Sequence, residues 1–257
     1  CSAETEASFE TISFLAGKVD ELRLPCVLTI EGAQHKVAET IVQNTAEKNQ
    51  SILTLDSMQS TTSTDVSYLS TTLIRGMPMV FIDRRPLGLS VDAVTSDNRE
   101  AAALATRSLI ARGHRRIAFL GERSTIRTSA ERHQGFLDAF GEAGVPTGEA
   151  TVIFGLSSAR EAQEALGALL DSDQPPTAVF GGQNLITVGA LHALHSRGMQ
   201  HRIALIGFDD LELADLLDPG VTVIRQDPRK LGRVAAERMF SRLDGGVLAP
   251  EHIIVPT

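Results

Sequence analysis

Ile203-Ala-Leu-Ile-Gly-Phe-Asp209-Asp210 is the stretch on which the reading of this chain turns. Apolar residues run from Ile203 to Phe208 and stop at two adjacent carboxylates. So short an apolar run with polar flanks reads as a buried strand of a parallel sheet. In open parallel sheets, ligands gather at the carboxyl ends of the strands. Asp209 therefore stands where a small polar ligand would sit. The competing reading is that both acids cap the following helix, since Asp is a favoured N-cap residue. If the strand continues through them, the two carboxylates point to opposite sides, which does not suit a general acid/base pair.

The same alternation of strand and helix extends along the chain. Residues 9–21 are helix-like, with Ile12, Leu15, Ala16 and Val19 on one face. A strand is expected over 25–30, a helix over 36–48, and a strand over 51–55 that ends at Asp56. A helix over 65–74 and a strand over 78–82, ending at Asp83, follow. Residues 99–111 read as a helix with Asp97-Asn98 as its start signal and Gly113 as its stop. Further strands at 116–120, 150–154, 177–180, 203–208, 221–226 and 252–255 alternate with helices at 159–170, 185–197 and 229–243. This is the pattern of an α/β protein, with parallel sheets flanked by helices.

Length and composition exclude several classes. The chain has 257 residues, enough for two lobes. No apolar run approaches the roughly 20 residues of a membrane span. The opening Cys1-Ser-Ala-Glu-Thr-Glu has neither the basic region nor the apolar core of a secretory signal. A cytoplasmic setting is expected. A formal charge of −8 argues against nucleic acid binding by this segment itself. Cys1 and Cys26 make no metal or redox spacing, and Cys26 lies in an apolar run that suits a structural thiol. There is no Gly-x-Ser-x-Gly elbow and no Walker-type phosphate loop, so neither an enzyme nor a cofactor is expected.

Composition changes near residue 68. Residues 1–68 hold three Lys and one Arg, whereas residues 69–257 hold one Lys and nineteen Arg. Two glycines precede that boundary and nineteen follow it. Lys and Arg serve a solvated surface about equally well, so folding does not demand the switch. A sequence joined from two sources accounts for it better than chance.

From about residue 70 onward, seven segments occur in an order that resembles the effector-binding region of lactose-repressor (LacI/GalR) family transcription regulators. They are Pro78-Met-Val-Phe-Ile-Asp83-Arg84, Val94-Thr-Ser-Asp97-Asn98, the run from Leu109 to Gly121, Arg132-His-Gln-Gly135-Phe136, the run from Pro176 to Asn184, the stretch ending in Asp209-Asp210, and Val221-Thr-Val-Ile-Arg-Gln226. The resemblance implies the two-lobed fold of periplasmic sugar-binding proteins. The first lobe would comprise 1–121 plus 227–246, and the second 122–226 plus 247–257. The helix over 229–243 would pack on the first lobe through Val234, Ala235, Met239 and Phe240. Residues 1–68 instead resemble a lobe of zinc/manganese ABC-transporter substrate-binding proteins, through Val27-Leu-Thr-Ile-Glu-Gly and Ile52-Leu-Thr-Leu-Asp56. A graft between similar α/β lobes fits both. Each family places a strand before the first helix, and residues 1–8 are too polar to supply it.

The repressor resemblance implies that Asp83, Arg132, Gln183 and Asp209 line a cleft. Asp83 and Asp209 would end strands in opposite lobes and accept hydrogen bonds from sugar hydroxyls. Arg132 offers a planar fork of donors, and Phe208 could supply an apolar face. The bland alternative for Arg132 is a surface ion pair with Glu131 or Asp138. Gln183-Asn184 departs from the family's more usual Asn-Asp. Asp56 matches an acidic metal-ligand position of the transporter segment, but the remaining ligands of that family come mostly from its other lobe, so a loop-starting Asp is the simpler account. His192 and His195 lie three apart on one helix without a third ligand of motif support. The leading expectation is a non-enzymatic sensing core for a sugar or nucleoside. It is homodimeric through a cluster of Leu211, Leu213, Leu216 and Leu217. It reaches DNA only through an N-terminal headpiece that does not precede residue 1, and it has no membrane partner. The alternatives are a metal- or solute-binding transport protein, or a chimera without physiological function.

Overall fold

The computed structural model describes residues 9–24, 26–30, 35–55, 78–86, 88–211, 214–244 and 249–257. The chain forms two compact units, Cys1–Ser63 and Thr64–Thr257. In the first, α1 (Phe9–Glu21) and α2 (His35–Gln43) accompany the parallel pair β1 (Cys26–Ile30) and β2 (Ser51–Leu55), with Cys26 opposite Ser51. Ala16, Val19 and Ile41 form a buried cluster in it. The second helix stops at Gln43, short of residue 48. Just beyond it the Thr45 hydroxyl donates to the Val42 carbonyl, a local bond that competes with the helical ladder. The helix expected over 65–74 lies outside the described residues.

The second unit holds a small and a large sheet, both parallel. The small one has the order β10-β4-β3, made of β3 (Val80–Ile82), β4 (Asp92–Ser96) and β10 (His252–Val255). The large one has the order β6-β5-β7-β8-β9. Its strands are β5 (Ile117–Leu120), β6 (Ala150–Ile153), β7 (Ala178–Gly181), β8 (Ala204–Phe208) and β9 (Thr222–Ile224). Successive side chains of a strand face opposite ways. Ile117, Phe119, Phe180, Ile206 and Phe208 thus pack against α3 (Asn98–Ala111) and α4 (Arg127–Glu142). Ala118, Leu120 and Val179 pack on the other face against α5 (Ala159–Leu170) and α6 (Asn184–Ser196). On the first face Phe119 stacks on Phe180, with ring centres 5.5 Å apart, and meets Phe136 at 5.4 Å.

The expected lobe boundaries at residues 121 and 247 do not hold. The chain leaves the small sheet at Asp97, not at Gly121, because α3 belongs to the large sheet. Helices α3 and α4 lie so close that a Cβ on Gly135 would stand 1.9 Å from the Arg99 carbonyl oxygen. Gly113, with φ +92, ends the α3 segment as its sequence suggests. Residues 249–257 stay with the small sheet, because Val255 and Ile253 pack with Val94 under α7 (Pro228–Leu243). Helix α7 covers that sheet through Leu231, Val234 and Ala235, whereas Phe240 is 63% exposed.

Strand β4 has no counterpart in the apolar pattern, yet all five of its residues are buried. Its polar groups are met by partners. Asp92 accepts from Arg238 Nε at 2.8 Å, from Arg242 Nε, and from the Glu251 backbone N–H at 2.9 Å. Burial pushes the Asp92 pKa up, but these hydrogen bonds outweigh it and hold the carboxyl below its usual range.

Candidate functional site

In the large sheet the chain goes from β5 outward to β6 and then returns to β7 on the other side of β5. The loops after β5 and β7 therefore diverge, and such a switch point leaves a crevice at the carboxyl ends of the strands. Arg132 fills its floor. On α4 it continues the inward stripe of Phe136, Ala139 and Phe140, one turn nearer the helix start, which sets a charged group above the strand ends. It is 4% exposed.

Several groups hold it there. The guanidinium lies over the Phe208 ring, 3.7 Å from its centre. Nε donates to Asn98 Oδ1 at 2.8 Å and Nη1 to the Gly182 carbonyl at 2.8 Å. Asp209 Oδ2 stands 3.7 Å from Nη1. Burial lowers the Arg132 pKa, opposed by the charges of Asp209, Asp83 and Glu122, while Arg84 adds to the lowering. A guanidinium keeps its proton in proteins, so this is a buried permanent cation. The surface-pair alternative fails: Asp138 pairs with Arg99 and Glu131 with Arg127.

The two strand-end acids have matching backbones. Asp83 follows β3 with φ +68, and Asp209 follows β8 with φ +74. Each donates its N–H to the neighbouring strand at 2.9 Å, Asp83 to the Val94 carbonyl and Asp209 to the Ile224 carbonyl. Asx residues are the ordinary non-glycine occupants of this left-handed region. The adjacent acid separates from the site, since Asp210 pairs with Arg225 at 3.0 Å and accepts from the Leu211 N–H.

Two expected lining residues have other work. Gln183 caps α6, its side-chain oxygen accepting from the N–H groups of Leu185 and Ile186. Phe208 is fully buried beneath Arg132, so it seats the cation and offers no open face. An aromatic surface comes instead from half-buried Phe154 after β6, with the His133 ring edge-on at 4.9 Å. Burial lowers the His133 pKa and favours the neutral ring. Asn98 and Gln226 also border this site, contacts that pattern reading does not reach. Gln226 Nε2 donates to Asp209 Oδ1 at 2.5 Å. The only signal for it is its place at the end of a recognisable segment.

Other candidates lie elsewhere. Asp56 and Leu213 are outside the described residues. His192 and His195 are both exposed on α6. Leu216 is 74% exposed, and Leu211 and Leu217 are half-buried. A cavity of about 510 Å³ opens at the opposite end of the large sheet, beside Ile203–Ile206 and residues 219–222. Arg112, which lines it, follows the carboxyl end of α3, where positive charge complements the helix dipole.

Known proteins share this fold. The family described as a periplasmic binding protein-like domain matches residues 106–257. Over 172 residues the chain is 33% identical to the HTH-type transcriptional repressor PurR of Yersinia pestis bv. Antiqua (strain Antiqua), covering 66% of this chain and 50% of that protein. The chain spans about half the length of the curated relatives it matches. A regulatory protein of the LacI family from Chloroflexus aggregans has a similar fold, with TM-score 0.69 and 24% identity, covering 84% of this chain and 86% of that one. A LacI family transcriptional regulator from Enterococcus faecium with bound ribose gives TM-score 0.70 at 19% identity, covering 96% of this chain and 90% of that one. No helix among the described residues is long and apolar enough to cross a membrane.

Proposed function

We propose that this chain, which belongs to the periplasmic binding protein-like domain family, is the effector-binding core of a LacI-type transcriptional regulator. It senses a small polyhydroxylated ligand, a sugar or nucleoside, without chemical turnover. The observation that carries this is the buried Arg132 at the switch point, seated on Phe208 with Asp209 at 3.7 Å, the charges of Asp209 and Asp83 opposing the effect of its burial. A fixed cation with donors to spare and two strand-end carboxylates can grip hydroxyls that both accept and donate. Phe154 supplies a face for the apolar side of a ring. The ribose held by the Enterococcus faecium regulator is a ligand of this chemistry. We read the protein as a cytoplasmic homodimer with Leu216 at the contact, and operator binding as the work of a separate headpiece.

Thermal-shift screening with pentoses, hexoses and nucleosides, D-ribose included, followed by calorimetry, tests the reading. Binding that Arg132→Lys and Asp209→Asn both weaken is the expected result. If zinc binds tightly, no sugar or nucleoside does, and neither substitution matters, a transport role takes its place.

Residues 1–68 we further read as a segment joined to this core from another source. The compact units divide between Ser63 and Thr64, within a few residues of the change from Lys to Arg usage. Sequencing the source genome across this boundary decides the matter. One uninterrupted native reading frame would overturn it.

A further inference from the structure

Five side chains around the site close a ring that begins and ends on one residue. The Ser96 hydroxyl donates to Gln226 Oε1 at 2.5 Å. Gln226 Nε2 donates to Asp209 Oδ1 at 2.5 Å. Asp209 Oδ2 faces Arg132 Nη1 at 3.7 Å. Arg132 Nε donates to Asn98 Oδ1, and Asn98 Nδ2 donates to the Ser96 carbonyl at 3.2 Å. The polarity is consistent throughout. An ionised carboxylate only accepts, so Gln226 must turn its amide nitrogen toward Asp209, which leaves the amide oxygen for the single hydroxyl proton of Ser96.

The ring passes through both places where the chain runs between the sheets. Ser96 ends β4 and Asn98 begins α3, on either side of Asp97. Gln226 lies between the end of β9 at Ile224 and the start of α7 at Pro228. Ser96, Asn98 and Arg132 are each at most 4% exposed, so water is kept from the bonds among these three, while Asp209 and Gln226 are half-buried. One link is loose. The gap from Arg132 to Asp209 exceeds the usual 2.7–3.2 Å of an N–H···O bond. A ligand hydroxyl lying beside the pair, accepting from Arg132 and donating to Asp209, would complete the circuit.

We propose that Gln226 is a positioning residue that ties the Asp209 carboxylate to Ser96, so that a change at the site is felt at both crossover segments. The tie itself stands on the hydrogen bonds above. Only its response to a ligand rests on the effector-site reading.

Residue-resolved hydrogen exchange on the full chain tests it. The Asp97 amide, which donates to the Val255 carbonyl at 3.3 Å, is the reporter at the far crossover. Asp209→Gly removes the carboxylate and suits the left-handed backbone, while Gln226→Met keeps the length but not the hydrogen bonds. Each should speed Asp97 exchange about five-fold, the equivalent of one ordinary hydrogen bond. The double variant should be no faster than either single one, because both cut the same link. Independent effects that multiply to about twenty-five-fold, or an Asp97 amide indifferent to Asp209→Gly, would overturn the proposal. If Gln226→Met does not fold, Ser96→Ala cuts the neighbouring bond and carries the same expectations. Added D-ribose should slow Asp97 exchange in the unsubstituted chain but not in Gln226→Met. Non-additivity without any response to D-ribose upholds the tie and counts against D-ribose as effector. A response that survives Gln226→Met sinks the tie.

Discussion

Arg132 and Phe208 form a buried cation–ring pair, with the guanidinium carbon 3.7 Å from the ring centre. Phe208 is adjacent in sequence to Asp209, so one strand end supplies both the face under the cation and the carboxylate beside it. A pair of this kind contributes about 0.5–2 kcal/mol. Phe208→Leu should therefore weaken the effector about two- to thirty-fold at about 1.4 kcal/mol per tenfold. Arg132→Lys should weaken it more, since an ammonium cannot serve Asn98 and the Gly182 carbonyl together while lying flat on the ring. Calorimetry with the sugar or nucleoside found by screening gives both numbers. Unchanged affinity in Arg132→Lys would remove Arg132 from the site.

Gln183 separates two roles that can be measured on one variant. As the α6 cap it satisfies two backbone N–H groups, and Gln183→Ala should lower stability by about 0.5–2 kcal/mol, the range for lost caps. Effector affinity should move far less than in Arg132→Lys. A ligand loss matching that of Arg132→Lys, with stability intact, would make Gln183 a contact residue after all.

Helix packing on the large sheet depends on absent side chains. In Gly135→Ala the new Cβ would meet the Arg99 carbonyl at 1.9 Å, and in Gly189→Ala it would meet the Ala159 carbonyl at 2.2 Å. Backbone cannot swing aside as a side-chain tip can, so each should cost about 1–3 kcal/mol or more. Gly141→Ala, with nothing within 4 Å, serves as the control and should be neutral or slightly stabilising. The order of the three melting temperatures is the check.

Asp92 should make the small sheet acid-sensitive. Its pKa is depressed in the folded chain, so its contribution is fully present above the ordinary carboxylate range and is lost as pH falls through the depressed value. Removing one partner of a buried pair costs about 3–5 kcal/mol. Asp92→Asn should show that loss at neutral pH and a shallower decline of stability in acid than the unsubstituted chain. Denaturant titrations from neutral pH into the acid range compare the slopes. Equal slopes would mean that other carboxylates govern the acid transition.

How much of this was legible follows from where each partner lies. The strands β5, β7 and β8 are apolar runs, visible without knowledge of the fold. Strand β4 is as deeply buried, yet reads Asp-Ala-Val-Thr-Ser, and its polar groups become tolerable only through partners far along the chain. Asp92 meets Arg238 and Arg242, Thr95 meets His252, and Ser96 meets Gln226. Periodicity registers polarity but not its satisfaction. Helix α4 escapes the pattern for a related reason, since its inward stripe begins with Arg132 rather than an apolar residue. Asp83, Arg132 and Asp209 were reachable as motif positions. The capping by Gln183, the concealment of Phe208 and the part of Gln226 depend on side-chain direction, which spacing does not carry. The lobe boundary was misplaced because half of the buried residues of helix α3 are alanine, a surface that does not announce which sheet it covers until Gly135 admits α4 against it.

The left-handed backbone at Asp83 and Asp209 limits what can replace them, and the limit leaves one door open. Valine, leucine or any bulky residue is strained there, whereas asparagine fits as aspartate does. Aspartate to asparagine trades a charged acceptor for a neutral group that also donates. In the proposed site, each strand end can therefore exchange one recognition chemistry for another by a single substitution that the backbone accepts without strain. A designer seeking a biosensor for a new metabolite has two such dials, one on each sheet, and four settings before any other residue is altered.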